Sequence, residues 1–242
     1  MQFAQIEWRE NNGICQPYSL DFNDVYFNSE SGLQETEYVF IAHNELKQRF
    51  STANLSNITI VETGFGTGLN FLAVCALWLE TAPTRATLHY FGIEKAPLSL
   101  SDLSRAHLLW PQFASLSSEL AAQYSAVQTG CNVFSMAASR IQLTLWLSDI
   151  NDVLPNLQIA DTGWVNAWLL DGFAPTKNAD MWSTNVFTQM ARLSNANTTF
   201  ATFTSAGHVR RGLQATGFKV TKHKGFGKKR EMLSGIFVGS DL

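Results

Sequence analysis

Cysteine is scarce in this chain of 242 residues, and the three that occur, Cys15, Cys75 and Cys131, are widely spaced with no histidine nearby. Such a set predicts neither a disulfide framework nor a zinc site, and it favours a reducing, cytoplasmic environment. The five histidines also lack metal-ligand spacing, and there is no Gly-x-Ser-x-Gly motif. We therefore expect no metal ion and no nucleophilic hydrolysis.

Long hydrophobic runs are missing as well. The longest, Leu69–Leu79, is far shorter than the roughly 18 residues that a membrane span needs. The opening residues MQFAQIEW carry an early acid and lack a basic region followed by an apolar one, so we expect no signal peptide. With 45% hydrophobic residues, the chain has enough material for one large core. These features predict a cytoplasmic globular protein without a membrane partner.

Basic residues are few outside one segment. Residues 210–230 contain eight of the 17 lysines and arginines and no acid, so the remainder has 9 bases against 20 acids, a net charge of −11. A basic segment on an acidic body is typical of a protein that binds an anionic ligand at one face, although a solvated hairpin would carry the same charges. The candidate RNA contacts are Arg210, Arg211, Lys222, Lys224, Lys228, Lys229 and Arg230.

One loop carries the strongest signal. Residues 58–68, ITIVETGFGTG, run from β-branched residues through an acid into three alternate glycines, and the apolar Leu69–Leu79 follows. Glycine permits positive φ and a close approach of the backbone to a ligand, so strand, glycine turn and helix predict a nucleotide-type loop. A dinucleotide fingerprint would need glycine at Leu69, and a P-loop would need Lys then Ser/Thr at Leu69 and Asn70. Neither is present, which disfavours an NAD oxidoreductase.

What remains, Glu-x-Gly-x-Gly-x-Gly, resembles the S-adenosyl-L-methionine (SAM) loop of class I methyltransferases. The resemblance implies that the acid and the loop hold this cofactor. Glu62 would orient the loop or approach the amino group of the methionine moiety, unless it only caps the next helix. The loop candidates for cofactor binding are Glu62, Gly64, Phe65, Gly66, Gly68 and Asn70.

Further acids end the next two predicted strands. Glu94 closes HYFGIE, where a carboxylate can accept both ribose hydroxyls of a nucleotide, although a surface glutamate would look the same. Asp149 follows LTLWLS and would suit an adenine amino group. Because ligands bind at the carboxyl ends of parallel strands, we expect both acids at the same crevice as the loop.

A second motif, WLLDGFAP at 168–175, ends a buried strand in Asp171. A carboxylate there can direct the lone pair of an amine toward a methyl group and stabilise the ammonium that forms, and Phe173 can stack on a base. The motif is similar to the Asp-Pro-Pro-Tyr type of amino-directed nucleic acid methyltransferases. A purely structural aspartate is the alternative. We predict Asp171 and Phe173 as the catalytic residues.

From residue 58 onward, strand and helix patterns alternate, which predicts an α/β fold. The last two strands are joined by residues 223–231 without a helix and should pair antiparallel. A helix is predicted near Glu37–Phe50. Residues 1–57 are predicted as an N-terminal extension packed on a Rossmann-like methyltransferase domain of residues 58–242 with a seven-stranded, mostly parallel sheet. The predicted strands are Ile58–Glu62, Thr87–Ile93, Gln142–Leu147, Val165–Leu170, Thr199–Thr204, Phe218–Thr221 and Met232–Val238. The predicted helices are Leu69–Leu79, Leu98–Leu109, Phe113–Ala126, Asp180–Leu193 and Val209–Thr216.

Four segments, 24–40, 61–72, 169–182 and 201–233, resemble the methyltransferase domain of the MnmC family of bifunctional tRNA 5-methylaminomethyl-2-thiouridine biosynthesis proteins. The resemblance implies SAM-dependent methylation of the 5-aminomethyl group on the wobble uridine, in the anticodon of tRNA. It also implies an FAD-dependent oxidase domain in full-length relatives, and no second Gly-x-Gly-x-x-Gly follows residue 68 here. The chain is then either a domain of a longer protein or a stand-alone version.

Two other functions stay open at this point. One is a methyl- or aminopropyl-transferase for a small amine, which the acidic remainder of the chain would suit. The other is a non-catalytic RNA-binding module with the same fold, which the intact glycine loop and Asp171 disfavour.

Overall fold

The computed structural model describes residues 2–11, 13–27, 31–158 and 165–239. In these residues, eleven strands form two sheets. The strands are β1 Ile6–Asn11, β2 Ile14–Ser19, β3 Asp24–Val25, β4 Asn57–Thr63, β5 Thr87–Glu94, β6 Gly130–Met136, β7 Ile141–Leu147, β8 Val165–Leu170, β9 Ser194–Thr202, β10 Phe218–Lys224 and β11 Glu231–Phe237. The α-helices are α1 Gly32–Glu35, α2 Leu46–Phe50, α3 Leu69–Thr81, α4 Leu100–His107, α5 Ala114–Tyr124, α6 Ile150–Asn156, α7 Thr184–Arg192 and α8 Gly207–Ala215.

The larger sheet has eight strands in the order β10-β11-β9-β8-β4-β5-β7-β6. Its five central strands, from β9 to β7, run parallel, and β10 pairs antiparallel with β11 as predicted. The prediction of seven strands missed β6, which lies at the edge and, among the described strands, pairs only with β7. Most of its residues are exposed or half-buried, so its sequence lacks the apolar run of a central strand.

Helices cover both faces of this sheet, because alternate strand residues point to opposite sides. Ile60 and Tyr90 pack under α3 on one face, whereas Val61 and Trp168 pack with the α6, α7 and α8 helices on the other. Helix α3 is apolar around most of its circumference and is buried between the sheet and the N-terminal helices. Cys75 lies in α3 as a buried free thiol.

Several predicted boundaries changed. The helix predicted near Glu37–Phe50 is a π-helical segment, Thr36–Ala42, followed by α2, and the break comes at Glu45 with its positive φ of 54°. The helix predicted from Asp180 begins at Thr184, where the Ser183 hydroxyl accepts a hydrogen bond from the Val186 N–H and caps it. A short 3-10 turn occupies the preceding residues.

The first three strands form a separate antiparallel sheet, β1-β2-β3. It is attached to α4 by a hydrogen bond from Trp8 Nε1 to Asp102 Oδ1 (2.9 Å). The division into an extension of residues 1–57 and a domain of residues 58–242 stays a prediction. Residues of the small sheet and of the large sheet line the same cleft. Among the described helices, none combines the length and the apolar content that a membrane crossing requires.

Candidate active site

A cleft of about 450 Å³ opens at the carboxyl ends of β4, β5, β7 and β8, which is where an α/β sheet holds its ligands. The turns after these strands form its base, and the segment around β3 and α1 covers it. Its wall contains six carboxylates and two lysines. The carboxylates belong to Asp24, Glu35, Glu94, Asp149, Asp171 and Asp180, and the lysines are Lys95 and Lys229. The cleft therefore favours cationic ligands.

The glycine loop lies at the centre of this cleft. Gly64, Gly66 and Gly68 have φ angles of 78°, 53° and 72°, a region that residues with a Cβ rarely adopt. A Cβ on Gly64 would lie 2.7 Å from the Cα of Gly172, so the close approach of the turns after β4 and β8 requires glycine at position 64. Gly68 is the N-cap residue just before α3 and does not itself line the cleft wall. The ring of Phe65 is buried beneath the loop against Gly92.

Glu94 fastens the loop to the next strand. Its Oε2 accepts a hydrogen bond from the Gly66 N–H (2.9 Å), and its Oε1 accepts one from the Ala96 N–H (2.9 Å). Burial raises the pKa of this carboxyl, and the backbone donors oppose the shift. The side chain is half-buried and lines the cleft, so its remaining lone pairs can accept the ribose hydroxyls that the sequence predicted.

Asn70, the second residue of α3, connects two carboxylates. Its Nδ2 donates to Glu62 Oε1 and to Asp171 Oδ2, both at 2.7 Å, and its Oδ1 accepts from the Thr36 hydroxyl (2.6 Å). The Tyr90 hydroxyl donates to the other oxygen of Glu62 at 2.7 Å. We call Glu62, Asn70 and Asp171 the floor of the cleft.

Glu62 takes a different place from the one the sequence predicted. It is only 1% exposed, does not line the cleft wall, and has both oxygens bonded to protein side chains. Its two oxygens bond to the side chains of Asn70 and Tyr90. Its contacts position Asn70, and through it Asp171. The signal for the ligand role was the acid beside three glycines, which cannot show which way the side chain turns.

Asp171 faces the cleft with both oxygens fixed. Gly172 N–H donates to Oδ1 (2.8 Å) and Asn70 to Oδ2. Burial raises the pKa of Asp171 to about 7, against the effect of these donors, and the charge of Glu35 adds to the rise. Burial also raises the pKa of Glu62 well above its usual value, and the negative charge of Asp171 adds to this rise. Asp171 is thus a carboxyl group of the floor that can take or release a proton near neutral pH.

Phe173 lines the cleft beside Asp171 but is already packed. Its ring stacks on Phe22 with centroids 4.5 Å apart and meets the edge of Tyr26 at 5.2 Å. Its carbonyl accepts a hydrogen bond from Trp182 Nε1 (3.1 Å). The base stacking that the sequence predicted would have to use the ring face that Phe22 leaves open.

Asp149 lies at the far end of the cleft. Its Oδ1 accepts from the Asn151 N–H and caps α6, and its Oδ2 pairs with Lys95 Nζ (2.8 Å). Burial alone would raise the pKa of Asp149, but the hydrogen bonds from Lys95 and Asn151 and the charge of Lys95 together outweigh it, and the pKa is lowered. The carboxylate stays ionised at neutral pH and can accept a hydrogen bond from an amino group, as predicted for adenine.

The part of the cleft wall that faces the floor is formed by residues that are far apart from one another in the sequence. Lys229 of the β10–β11 hairpin places its Nζ 2.6 Å from Glu35 Oε1 and 4.2 Å from the ring centroid of Phe203. The Tyr38 hydroxyl donates to the carbonyl of Lys224 at 2.8 Å. We call Phe22, Tyr26, Glu35 and Lys229 the roof of the cleft. The hairpin is therefore docked on the N-terminal segment.

The seven predicted RNA contacts lie on helix α8 and on the β10–β11 hairpin. Lys229 lines the cleft, whereas Lys222 pairs with Glu231 at 2.7 Å on the exposed side of the hairpin. Arg210 and Arg211 lie on α8, and Lys224, Lys228 and Arg230 are exposed residues at or near the hairpin tip. The described residues contain no group of three or more His, Cys, Asp or Glu placed to hold a metal ion.

Most of the roof was not predicted from the sequence. Tyr26 lies over the loop, with its Cδ1 3.4 Å from where a Cβ of Gly66 would be. The Thr36 hydroxyl donates to Asn70 of the floor, and Glu35 lines the cleft. All three lie in the segment 24–40 that carried the family resemblance. The resemblance pointed to the segment, but no local pattern assigned its side chains to the cleft.

These residues fit SAM. The loop offers backbone in a conformation that only glycine adopts readily, the half-buried Glu94 offers acceptors for a ribose, and Asp149 offers one for an amino group. The excess of carboxylates in the wall suits a positively charged sulfonium. The cavity volume lies within the range of small-molecule sites.

Comparison with known proteins agrees with this assignment. A family model described as S-adenosyl-L-methionine-dependent methyltransferase matches residues 111–237. The tRNA 5-methylaminomethyl-2-thiouridine biosynthesis bifunctional protein MnmC of Methylobacillus flagellatus is 50% identical over 97% of this chain and 35% of that protein. The protein of the same description from Ectopseudomonas mendocina is 47% identical with the same coverage. The chain thus spans about a third of the length of these relatives.

Among solved structures, MNMC2 from Aquifex aeolicus superimposes with a TM-score of 0.76 at 18% identity, over 96% of this chain and 70% of that one. This similarity shows the fold, which is the class I methyltransferase arrangement with its antiparallel C-terminal hairpin. The matched segment 111–237 contains Asp149, Asp171 and Lys229. The chain belongs to the family of S-adenosyl-L-methionine-dependent methyltransferases.

Proposed function

We propose that this protein methylates the 5-aminomethyl group of (2-thio)uridine at the wobble position of tRNA, giving 5-methylaminomethyl-2-thiouridine. The observation that carries the proposal is the floor: Asn70 joins the end of the glycine loop to Asp171, a cleft-facing carboxylate with a pKa of about 7. The printed names of the relatives, which are tRNA 5-methylaminomethyl-2-thiouridine biosynthesis proteins, support the choice of acceptor.

When bound, SAM supplies a methyl group on a positively charged sulfur, which leaves as a neutral thioether. The loop residues Gly64–Asn70 and Glu94 would hold it, with Asp149 at the adenine end. Glu62 would act as a positioning residue through Asn70. Lys95, paired with Asp149, keeps that carboxylate ionised.

The acceptor must reach the reaction as a neutral amine. An alkylamine with the pKa of lysine, about 10.4, is neutral in only about one molecule in a thousand at pH 7.4. Asp171 would accept the proton on an Oδ atom and keep the amine lone pair directed at the methyl carbon. The nitrogen–carbon bond then forms as the carbon–sulfur bond breaks, and the new ammonium stays beside carboxylates.

The basic segment would hold the nucleic acid outside the cleft. Arg210, Arg211, Lys222, Lys224, Lys228 and Arg230 would contact phosphates and so add affinity without reading sequence. Lys229, which alone among the seven predicted RNA contacts lines the cleft wall, would lie nearest to the reacting nucleotide. Phe173 would pack beside the uracil.

One observation favours a second candidate, a transferase for a small amine. The carboxylates of the cleft would attract any cationic acceptor, with or without phosphates. The exposed basic residues at the hairpin tip argue for a polyanionic acceptor instead.

The test is to incubate the purified chain with methyl-labelled SAM and tRNA that carries an unmethylated 5-aminomethyl uridine. Spermidine and other small amines compete in parallel reactions, and tRNA lacking the aminomethyl group is the matched control. Label in the wobble nucleoside, identified after digestion, is the expected result. Label only in the small amines would support the second candidate, and RNA binding without label in any acceptor would support a non-catalytic module.

Two wider predictions go with this function. The relatives are described as bifunctional, and a further domain that oxidatively supplies the 5-aminomethyl substrate, an FAD-dependent oxidase, would suit the part of their length that this chain does not match. A cytoplasmic location is the prediction from the three unpaired cysteines.

A further inference from the structure

The roof contains a pocket that already binds a primary ammonium group, the one at the end of Lys229. Glu35 contributes an oxygen at 2.6 Å from Nζ, and Phe203 turns its ring face to the same nitrogen at 4.2 Å. A carboxylate and an aromatic face are the two groups that recognise an organic cation. The Glu35 side chain is 12% exposed and the Lys229 side chain 41%. The Glu35 carboxylate is thus largely buried, whereas the Lys229 side chain approaches it from the solvent-exposed surface.

This pocket is connected to the floor. The residue after Glu35 is Thr36, whose hydroxyl donates to Asn70, and Asn70 donates to Asp171. The negative charge of Glu35 is close enough to Asp171 to raise the pKa of that carboxyl. A cation held by Glu35 is therefore a neighbour of the proposed catalytic carboxylate.

The aminomethyl group of the acceptor, in its protonated form, has the chemistry of a lysine side-chain terminus. Resting on the proposed function, we propose that Glu35 and Phe203 form the entry site for the acceptor ammonium and that Lys229 occupies this site until the acceptor displaces it. The displaced Lys229 is then free to pair with a phosphate of the same nucleic acid.

The exchange conserves charge at each step. A buried carboxylate without a partner is strongly unfavourable, so Glu35 needs one cation before and another after the acceptor enters. The long, flexible lysine side chain allows the movement, and it starts from a hairpin whose neighbouring residues Lys228 and Arg230 are exposed. An acceptor with an ammonium and a phosphate satisfies both Glu35 and Lys229, whereas an amine without phosphate satisfies only Glu35.

This difference gives opposite expectations for two acceptors in the Lys229→Met variant. For the free nucleoside 5-aminomethyluridine, KM should fall several-fold, because no lysine competes for Glu35. For the modified tRNA, KM should rise several-fold, because a phosphate contact is lost. Lys229→Arg should retain the tRNA KM within about twofold, and Glu35→Gln should raise KM for both acceptors. Lys47→Met, which removes one exposed charge from α2, is the control and should change neither KM.

SAM affinity, measured by calorimetry, should stay unchanged in all variants, which separates this role from donor binding. The proposal is overturned if Lys229→Met raises KM for the nucleoside, or leaves both values unchanged. Binding of propylammonium to the SAM-bound protein tests the pocket without turnover. Propylammonium binding should be tighter in Lys229→Met than in the wild type, and it should be lost in the double variant Glu35→Gln/Lys229→Met. The double variant also removes the Glu35 charge that Lys229→Met leaves unpaired, so it serves if Lys229→Met does not fold.

The two failures remain distinguishable. If neither acceptor is methylated by the wild type, the proposed function fails, and propylammonium binding still decides whether Glu35 and Phe203 form a cation site. If both acceptors are methylated but the two KM values move together, the function stands and the exchange is wrong.

Discussion

The floor and the roof of the cleft place charged groups near each other by different means. The floor is built from β4, α3 and β8, and its side chains are linked by hydrogen bonds of 2.7 Å beneath the surface. The roof joins the N-terminal segment to the β10–β11 hairpin, and an ion pair of 2.6 Å with 41% of the lysine side chain exposed holds it. Buried networks are rigid and costly to interrupt, whereas surface pairs exchange partners at little cost. The floor is therefore suited to chemistry and the roof to entry.

The largest effect should follow from Asp171→Asn, which keeps the shape of the floor and removes its base. We expect kcat to fall about 100- to 10,000-fold, the usual contribution of a positioned acid or base. SAM affinity should stay within a few-fold of the wild type, as measured by calorimetry. Near-normal turnover would place the chemistry away from the floor.

A smaller effect is expected from substitutions that test how tightly the turns after β4 and β8 are packed. Gly64 and Gly13 share a φ of 78°, but a Cβ on Gly64 would lie 2.7 Å from Gly172, whereas a Cβ on Gly13 meets nothing within 4 Å. Gly13→Ala should cost about 1–2 kcal/mol for backbone conformation alone. Gly64→Ala should cost about 1–3 kcal/mol more from overpacking, and it should also weaken SAM binding.

Urea unfolding of the two variants and the wild type measures this difference. Equal losses for both alanines would mean that the contact between the turns after β4 and β8 adds nothing.

The pH dependence of stability tests the environment of Asp171. The folded-state pKa of about 7 lies above the usual 3.8, so the folded protein holds this proton more tightly than the unfolded one. The resulting stabilisation is fully present below about pH 3.8 and is lost as the pH rises through about 7. The urea midpoint of the wild type should therefore fall relative to that of Asp171→Asn between pH 5 and pH 8. Parallel curves would show that Asp171 titrates normally.

The smallest effects are expected when a tyrosine is replaced by phenylalanine, once beside the floor and once beside the roof. Tyr90→Phe removes the donor to the buried Glu62 and should cost about 1–3 kcal/mol. Tyr38→Phe removes the exposed bond to the Lys224 carbonyl and should cost at most about 1 kcal/mol. Denaturant unfolding gives both values. A larger loss at Tyr38 would reverse the assignment of the rigid region.

Much of the large sheet was predictable, because its central strands are apolar runs that end abruptly in polar residues. The predicted strand Val165–Leu170 matches β8 at both ends, and the glycine loop lies where the sequence placed it. The edge strand β6 was missed, since a strand that is paired on one side needs no apolar run. Asn197 has a φ of 84° inside the irregular start of β9, a conformation that asparagine tolerates.

The floor was half predictable. Asp171 and the loop were found because strand-end acids and alternate glycines are local patterns. The inward turn of Glu62 was not, since burial depends on Tyr90, which lies 28 residues away. The roof depends on pairs such as Glu35 and Lys229, 194 residues apart, and no local pattern records such a distance.

The order of residues thus determined by itself the alternation of strand and helix, the glycine turn, the acids after the strands and the basic segment. These follow from backbone preference and from apolar periodicity, which act over a few residues. Only the tertiary structure decided that Glu62 turns inward to Tyr90, that Asn70 joins two carboxylates, and that one lysine of the basic segment lines the cleft. Charge and hydrogen bonding act through space, so their outcome depends on which segments the folded sheet brings together.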